Sequence, residues 1–416
     1  MEHYNFEGEI DNISPAQLEF IKNVIEQEGF KDSKVTFEAV GAAGDNYAAS
    51  VKRIVIEGEN GKLTMIAKIA PSHEIVRRTL NAPLMFKNEH LMYREVLPKF
   101  LSLQKQAEVP EEDQLKFPKC YGTNVEAPNE IILIEDLKPS GFKMQDRLAS
   151  LSDECVKSIL RNLAIFHSLS YVLKNKEPET YNYYKDNLGD MWGAIADRPP
   201  AELVYFSQVE NASINMLDDV EHQNVMRHKV SDLVTRAAKM TKFENNSRYA
   251  VIQHGDCWTN NVMFKFDGDS LQQSILIDYQ VSKNSSPAND FLYLVFNCTD
   301  HETRVKSFYD WLDYYHSELD KSLSNYGLKA NYVYPKDQLD ADVKRYGRLA
   351  FGCAVITSGV LNLNPEEAKK LQKAFANANN SEALLEVFAE VQTDTLRIIK
   401  KKLTGLVESF VAFGLL

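Results

Sequence analysis

Short runs of alternating apolar and polar residues occupy the first part of the chain, and helically spaced apolar stripes occupy most of the rest. Ser14-Pro15-Ala16-Gln17 has the form of a helix start: a serine cap, a proline at the first helical position and a Gln where a capping box needs one. Leu18, Ile21, Val24 and Ile25 then make one apolar stripe. Strands are predicted over Val35–Val40, Tyr47–Glu57 and Leu63–Ile69, joined by the glycine-bearing loop Gly41–Asn46 and the turn Glu59–Lys62. A helix from Pro83 to Phe100 follows, then strands over Phe117–Tyr121 and Ile131–Ile134. Pro139 breaks the pattern and marks Glu135–Pro139 as a connection between two parts. From Ser150 the spacing is helical, with Ser152 capping a helix that carries Val156, Ile159, Leu160, Leu163 and His167. The exception is Val251–Tyr279, where Val262–Phe266 and Leu271–Ile277 flank Asp267-Gly268-Asp269-Ser270 as a β-hairpin. The pattern is α+β: an antiparallel sheet with a helix over 1–136, then a mostly helical part with one hairpin over 137–416.

The composition changes this picture little. The 416 residues are 44% apolar and 25% charged, ordinary for a soluble globular protein. A formal charge of −12 argues against nonspecific binding to nucleic acid or an anionic membrane. Leu349–Leu361, the longest apolar stretch, is shorter than the ~20 residues a bilayer requires and reads as a buried helix. The amino terminus has no apolar signal core, and Cys120, Cys155, Cys257, Cys298 and Cys353 are scattered without metal-ligand spacing. A cytoplasmic monomer with reduced thiols is expected. Lys400-Lys401-Lys402 reads as a solvated helix face rather than a binding patch.

The chemistry concentrates in His254-Gly255-Asp256-Cys257-Trp258-Thr259-Asn260-Asn261 and in Ile277-Asp278-Tyr279-Gln280. An Asp, an Asn five positions later and a second Asp after the next apolar run is the spacing of a kinase-like phosphotransfer site. There Asp256 meets the hydroxyl to be phosphorylated, while Asn261 and Asp278 hold Mg2+ against the phosphates of ATP. Singly, each is equally well a turn or cap residue; a hairpin that brings them together makes the set specific. Lys68 lies among apolar residues on the third strand, where a buried ammonium needs partners such as phosphates and a glutamate. Glu89 on the following helix is the leading partner and Glu95 the alternative. The loop Gly41, Gly44, Asp45, Asn46 is placed to cover phosphates with backbone N–H groups, although it lacks the full glycine-rich form. His254 is expected to brace the catalytic loop, His167 to be a core histidine, and Asp290 to bond back to the loop around His254 with N-cap behaviour. Cys257 has no basic neighbour that would make it a nucleophile.

These residues, with Arg53, Phe86-x-x-Glu89-x-x-x-Tyr93 and Ile134-Glu135-Asp136-Leu137 in the same order, resemble the ecdysteroid kinase-like family, related to choline kinases and aminoglycoside phosphotransferases. The resemblance spans most of the chain and implies a two-lobed protein-kinase-like fold. It also implies ATP- and Mg2+-dependent phosphorylation of a small-molecule hydroxyl, with a steroid such as an ecdysteroid, or a xenobiotic, as acceptor. It assigns Asp256 as catalytic base, Asn261 and Asp278 as metal ligands, and Lys68 with Glu89 as the phosphate-positioning pair. Backbone groups of Glu135 to Leu137 would hold adenine. Gln280 favours this branch, since choline kinases tend to carry Glu there, while Ala48-Ala49-Ser50 departs from the family's usual hydroxyl-bearing run. Two rivals stay open: a choline- or ethanolamine-type kinase, and a catalytically silent ligand-binding relative. The first wants an aromatic cage, for which Trp311, Tyr314 and Tyr315 are the visible aromatics, though their helical spacing favours packing. The acceptor pocket is expected in the helical part, with Trp192, Phe206, Asp300 and His301 as candidates.

Overall fold

The structure is a computed structural model that describes residues 4–41, 49–375 and 390–416. The first part contains β1 (Asn5–Gly8), α1 (Pro15–Gln27), β2 (Lys34–Ala39), β3 (Ser50–Gly58) and β4 (Gly61–Ile69). Helices α2 (Glu74–Leu80) and α3 (Ala82–Leu91) follow, and α3 runs through a π-helical turn, Met92–Val96, into α4 (Leu97–Gln106). Strands β5 (Cys120–Asn124) and β6 (Ile131–Glu135) complete a six-stranded sheet in the order β1-β2-β3-β4-β6-β5. The pairings are antiparallel except β1 with β2.

Alternation decides what each face of this sheet does. Met65, Ala67 and Ile69 of β4 point with Ile54 and Ile56 of β3 toward α1, whose Ile21, Val24 and Ile25 close a small core. Ser14 caps α1 with both bonds of a capping box. Lys68 therefore points to the opposite face, toward α3.

The second part begins with the short β7 (Phe142–Lys143) and the long α5 (Asp153–Lys176), capped by Ser152. Next come α6 (Pro178–Asn187), α7 (Met191–Ala196), α8 (Pro200–Met216), α9 (Val220–Met226) and α10 (Leu233–Glu244). Two ribbons then interleave. β8 (Val251–Gln253) pairs with β11 (Lys283–Ser285), and β9 (Val262–Asp267) pairs with β10 (Ser270–Leu276). Helices α11 (Pro287–Cys298), α12 (His301–Ser324), α13 (Ala330–Val333), α14 (Lys336–Leu361), α15 (Pro365–Phe375) and α16 (Thr393–Ala412) follow. One large core joins the two parts: Phe100 of α4 meets Phe166 of α5 at 5.6 Å, and Tyr279 lies 5.9 Å from Phe166 and 5.7 Å from Tyr93.

The architecture is α+β, a two-lobed protein-kinase-like fold with its hairpin in the helical lobe. Several limits differ from the pattern-based reading. β5 lies three residues later than expected, and the helix expected over Pro83–Phe100 extends to Gln106 through the π turn. β1 was not anticipated, because its residues are mostly exposed and carry no alternation; it joins the sheet through its backbone. No helix among the described residues is long and apolar enough to cross a membrane.

Candidate active site

The pairings on either side explain why two distant segments lie together. Gln253 pairs with Lys283 at the end of one ribbon, and Val262 pairs with Leu276 at the start of the other. The loops 254–261 and 277–282 are thereby clamped side by side, and Ile277 N–H donates to the Asn261 carbonyl at 3.0 Å. Gly255 has φ 85°, and a Cβ there would lie 2.6 Å from the Val281 carbonyl oxygen, so the two loops approach only because this residue is glycine.

Asp290, fully buried in α11, holds the first loop. Its carboxylate accepts from His254 N–H at 2.7 Å and Gly255 N–H at 2.8 Å, and contacts His167 Nε2 at 3.0 Å. Burial opposes its ionisation, but the His167 contact, the nearby His254 and the Gly255 N–H hold its pKa below the usual value. Its role is an anchor and not an N-cap, because Ser286 caps α11. His254 accepts from Asp256 N–H through Nδ1 at 3.3 Å, which leaves Nε2–H to donate to the Ile277 carbonyl at 2.9 Å. Burial lowers its pKa, so it braces both loops as a neutral ring. His167 is fully buried, with Tyr315 OH at 2.8 Å from Nδ1.

Asp256 receives a donor on each oxygen: Tyr293 OH at 2.7 Å and Asn261 Nδ2 at 2.9 Å. Burial and the charge of Asp278 push its pKa up to about 6, against these two hydrogen bonds. Asn261 Nδ2 also donates to the Asp256 carbonyl at 2.9 Å, which turns its amide oxygen away from the loop. Asp278 has φ 66°, unusual for a residue with a side chain, and its Oδ1 accepts from Lys68 Nζ at 2.7 Å. Lys68 Nζ also donates to Glu89 Oε2 at 2.6 Å. Burial disfavours the Lys68 charge, but Asp278 and Glu89 outweigh it and raise the pKa. Burial likewise pushes Glu89 up, with Lys68 pulling against it. It is Glu89, and not Glu95 on the π turn, that lies against Lys68.

The remaining predicted residues are spread around this centre. Arg53 on β3 donates to Asp136 at 2.6 Å and so ties the sheet to the connection after β6. Glu135 ends β6, its N–H donating to the Lys119 carbonyl at 2.8 Å, and Leu137 is buried. Gly41 is exposed with φ 80°. Gly44, Asp45 and Asn46 lie outside the described residues. Cys257 is buried and its thiol is pushed well up by burial.

Two cavities share Thr357, and Asp256 lines the smaller of them. One of about 240 Å³ is lined by Asp256, Gln280, Tyr293, Trp192, Ile356 and Thr357 among others. Gln280 is 7% exposed, and its side-chain oxygen has no hydrogen-bond partner among the described residues. The other, about 660 Å³, is lined by Trp258, Asn297, Asp300, His301, Thr357 and Lys402 among others. Three of the acceptor-pocket candidates thus line cavities; Phe206 instead packs in the core against Trp192. Trp311 and Tyr315 are fully buried and form no cage for a cation. Tyr293 escaped the sequence reading, yet a signal existed: it lies three residues after Asp290 on the same helix face, so a helix that anchors the loop with one offers the other to it.

Asn261 and Asp278 offer a metal an amide oxygen and a carboxylate oxygen, hard donors that suit Mg2+. Among the described residues no group of three His, Cys, Asp or Glu could hold a metal ion, so a cation here requires phosphate oxygens as well.

No curated protein matches the chain. Among solved structures, an ethanolamine kinase from Plasmodium vivax is 14% identical over 89% of this chain and 81% of its own, with a TM-score of 0.39. A spectinomycin phosphotransferase in complex with ADP and spectinomycin is 13% identical over 95% of this chain and 98% of its own, with a TM-score of 0.43. An aminoglycoside phosphotransferase from Alicyclobacillus acidocaldarius is 14% identical over 89% of this chain and 92% of its own, with a TM-score of 0.31. The profile of the ecdysteroid kinase-like family matches residues 43–328, well over half of the chain. The protein belongs to the ecdysteroid kinase-like family and is a phosphotransferase that acts on hydroxyl groups.

Proposed function

We propose that this chain transfers the γ-phosphoryl group of ATP to a hydroxyl of a small molecule, with Mg2+, and that Asp256 is the catalytic base. The reading rests on one observation: Lys68, Glu89 and Asp278 form a continuous ion-paired set facing a carboxylate, Asp256, whose two oxygens are both held in place. Lys68 would position the nucleotide phosphates, oriented by Glu89. Asn261 and Asp278 would hold Mg2+, which neutralises charge on the phosphates when bound. The N–H of Leu137 donates to none of the described residues and is available to a purine edge.

In the transfer the acceptor oxygen forms a bond to the γ-phosphorus, the bond to the bridging oxygen of ADP breaks, and the hydroxyl proton passes to Asp256. Tyr293 and Asn261 fix the rotation of that carboxylate, so the acceptor meets one orientation of the base. Ecdysteroids, other steroids and hydroxylated xenobiotics are the acceptors we propose, with a cytoplasmic monomer as the working form. A choline- or ethanolamine-type acceptor is disfavoured, since Trp311 and Tyr315 lie within the core.

The test is an ATP-consumption screen against ecdysteroids, choline, ethanolamine and plant phenolics. Asp256→Asn should lower turnover of the accepted substrate by ~10²–10⁴-fold, the range for loss of a general base. Unimpaired turnover in a clean Asp256→Asn preparation would remove Asp256 from this role.

A further inference from the structure

The larger cavity carries an unusual charge. It sits where α11 and α14 end, and two of its arginines are engaged by backbone carbonyls there and on α16. Arg304, 2% exposed, donates to the carbonyls of Thr299 and Gly405 and to Ser409 Oγ. Arg147 donates to the carbonyls of Leu361 and Leu363. Lys402, on α16, is half-buried in the same wall, and among the described residues its ammonium has neither an ion-pair nor a hydrogen-bond partner. Burial lowers its pKa, and Arg147 and Arg304 push the same way, with Cys298 and Asp146 opposing.

The cavity's own carboxylates do not answer this charge. Asp300 is engaged by the Thr303 N–H as the cap of α12, Glu408 lies 3.7 Å from His301, and Glu302 is exposed. Lys400 and Arg397, also on α16, already have Asp218 and Asp394 as partners at 2.7 and 2.9 Å. All three lysines of the segment expected to be a solvated face line the cavity, but they differ: Lys401 is exposed, Lys400 is paired with Asp218, and Lys402 is half-buried.

Trp258, Phe296, Leu361 and Leu406 supply apolar wall, which they share with Asn297, Ser358, Asn362 and Thr404. Trp258 is two residues from Asp256, and Thr357 lines both this cavity and the smaller one that holds Asp256. About 660 Å³ is within the span of ~300–1,000 Å³ usual for small-molecule sites, whereas 240 Å³ encloses only part of such a ligand.

We propose that the acceptor is an apolar alcohol bearing an anionic group, sulfate, carboxylate or phosphate, which lies in the larger cavity on Lys402 while its hydroxyl reaches Asp256 past Thr357. The inference rests on the kinase reading above for the identity of the ligand as acceptor and narrows its acceptor class to those steroids and xenobiotics that carry an anion, which excludes unconjugated ecdysteroids. A cavity with apolar walls beside a half-buried unpaired ammonium gains one charge-assisted hydrogen bond when such a ligand enters. A cationic acceptor would instead meet like charge.

Fluorescence titration of the full chain with anilinonaphthalene sulfonate, and with phenylnaphthylamine, the same rings without the sulfonate, tests this without turnover. The protein should bind the sulfonate about tenfold more tightly than the amine, the scale of one hydrogen bond to a charged group. Lys402→Gln should abolish that difference, Lys402→Arg should keep most of it, and all forms should bind the amine alike, which shows the cavity intact. Equal affinity for the two dyes in the unmodified chain, or a sulfonate preference that survives Lys402→Gln, overturns the proposal. Phosphoryl transfer is read in a separate assay, so loss of transfer with an intact sulfonate preference strikes the kinase reading and leaves the anion site standing.

Discussion

Asp256 pays for its position in the currency of protonation. Its folded pKa of about 6 lies above the usual carboxylate value. The folded chain therefore binds more protons than the unfolded chain between about pH 4 and 6, and stability falls as pH rises through that window. Above pH ~6 the destabilisation is complete, about 2–3 kcal/mol from the size of the shift. Asp256→Asn should accordingly raise the melting temperature of the nucleotide-free protein near pH 7.5, and the gain should shrink as pH is lowered toward 4. A gain independent of pH would show that the carboxylate's charge is not its source. At this scale the sequence was informative where loop spacing sets which residues come together, as with Asp256, Asn261 and Asp278. It was silent where the partner comes from another element. Tyr293 reads as one more aromatic on a helix until its hydroxyl is seen 2.7 Å from Asp256, and Lys402 reads as surface charge until α16 is docked.

The loops that carry the candidate site have little regular structure of their own, so the elements around them must supply order. Asp290 is the clearest case: one carboxylate on α11 receives two loop N–H groups and faces His167. Asp290→Asn leaves a single acceptor oxygen, and its amide group turns an N–H toward a donor already present. Thermal or urea unfolding should show a loss of about 2–3 kcal/mol, the cost of a buried donor left unpaired, and phosphoryl transfer should fall with it. An Asn variant of unchanged stability would mean that the loop holds itself. Strand and helix types were legible from periodicity because β3, β4 and α1 must each bury one face. β1 was not, since it buries almost nothing and is selected by geometry. Gly8 at φ 90° could not carry a Cβ, which would sit 2.3 Å from the Phe37 carbonyl oxygen.

Across the whole molecule the site draws Lys68 and Glu89 from one lobe, Asp256 and Asp278 from the other. That set carries three carboxyl groups against one ammonium, a field that repels polyphosphate until a divalent cation enters with it. Asp278 is meanwhile engaged by Lys68. Chelation of Mg2+ should therefore leave the melting temperature of the nucleotide-free protein unchanged and remove the stabilisation that ATP confers, about 2.7 kcal/mol at a hundredfold excess over Kd. A drop on adding EDTA without nucleotide would reveal a structural metal instead. The two-lobed plan was legible because each lobe has its own periodicity and Pro139 interrupts them. The two cavities were not, since their walls come from loops and helix ends far apart in sequence.

The ion pair between Lys68 and Asp278 has a further consequence, which concerns time. Its partners are 210 residues apart in the chain. Helices and hairpins close locally and early, whereas a contact of this span must await the docking of two assembled halves. A chain that has built its sheet but not its helical lobe has Lys68 and Glu89 but no partner across the cleft. On the kinase reading proposed above, competence to bind nucleotide would be among the last properties the chain acquires as it folds, and its appearance would mark a completed molecule.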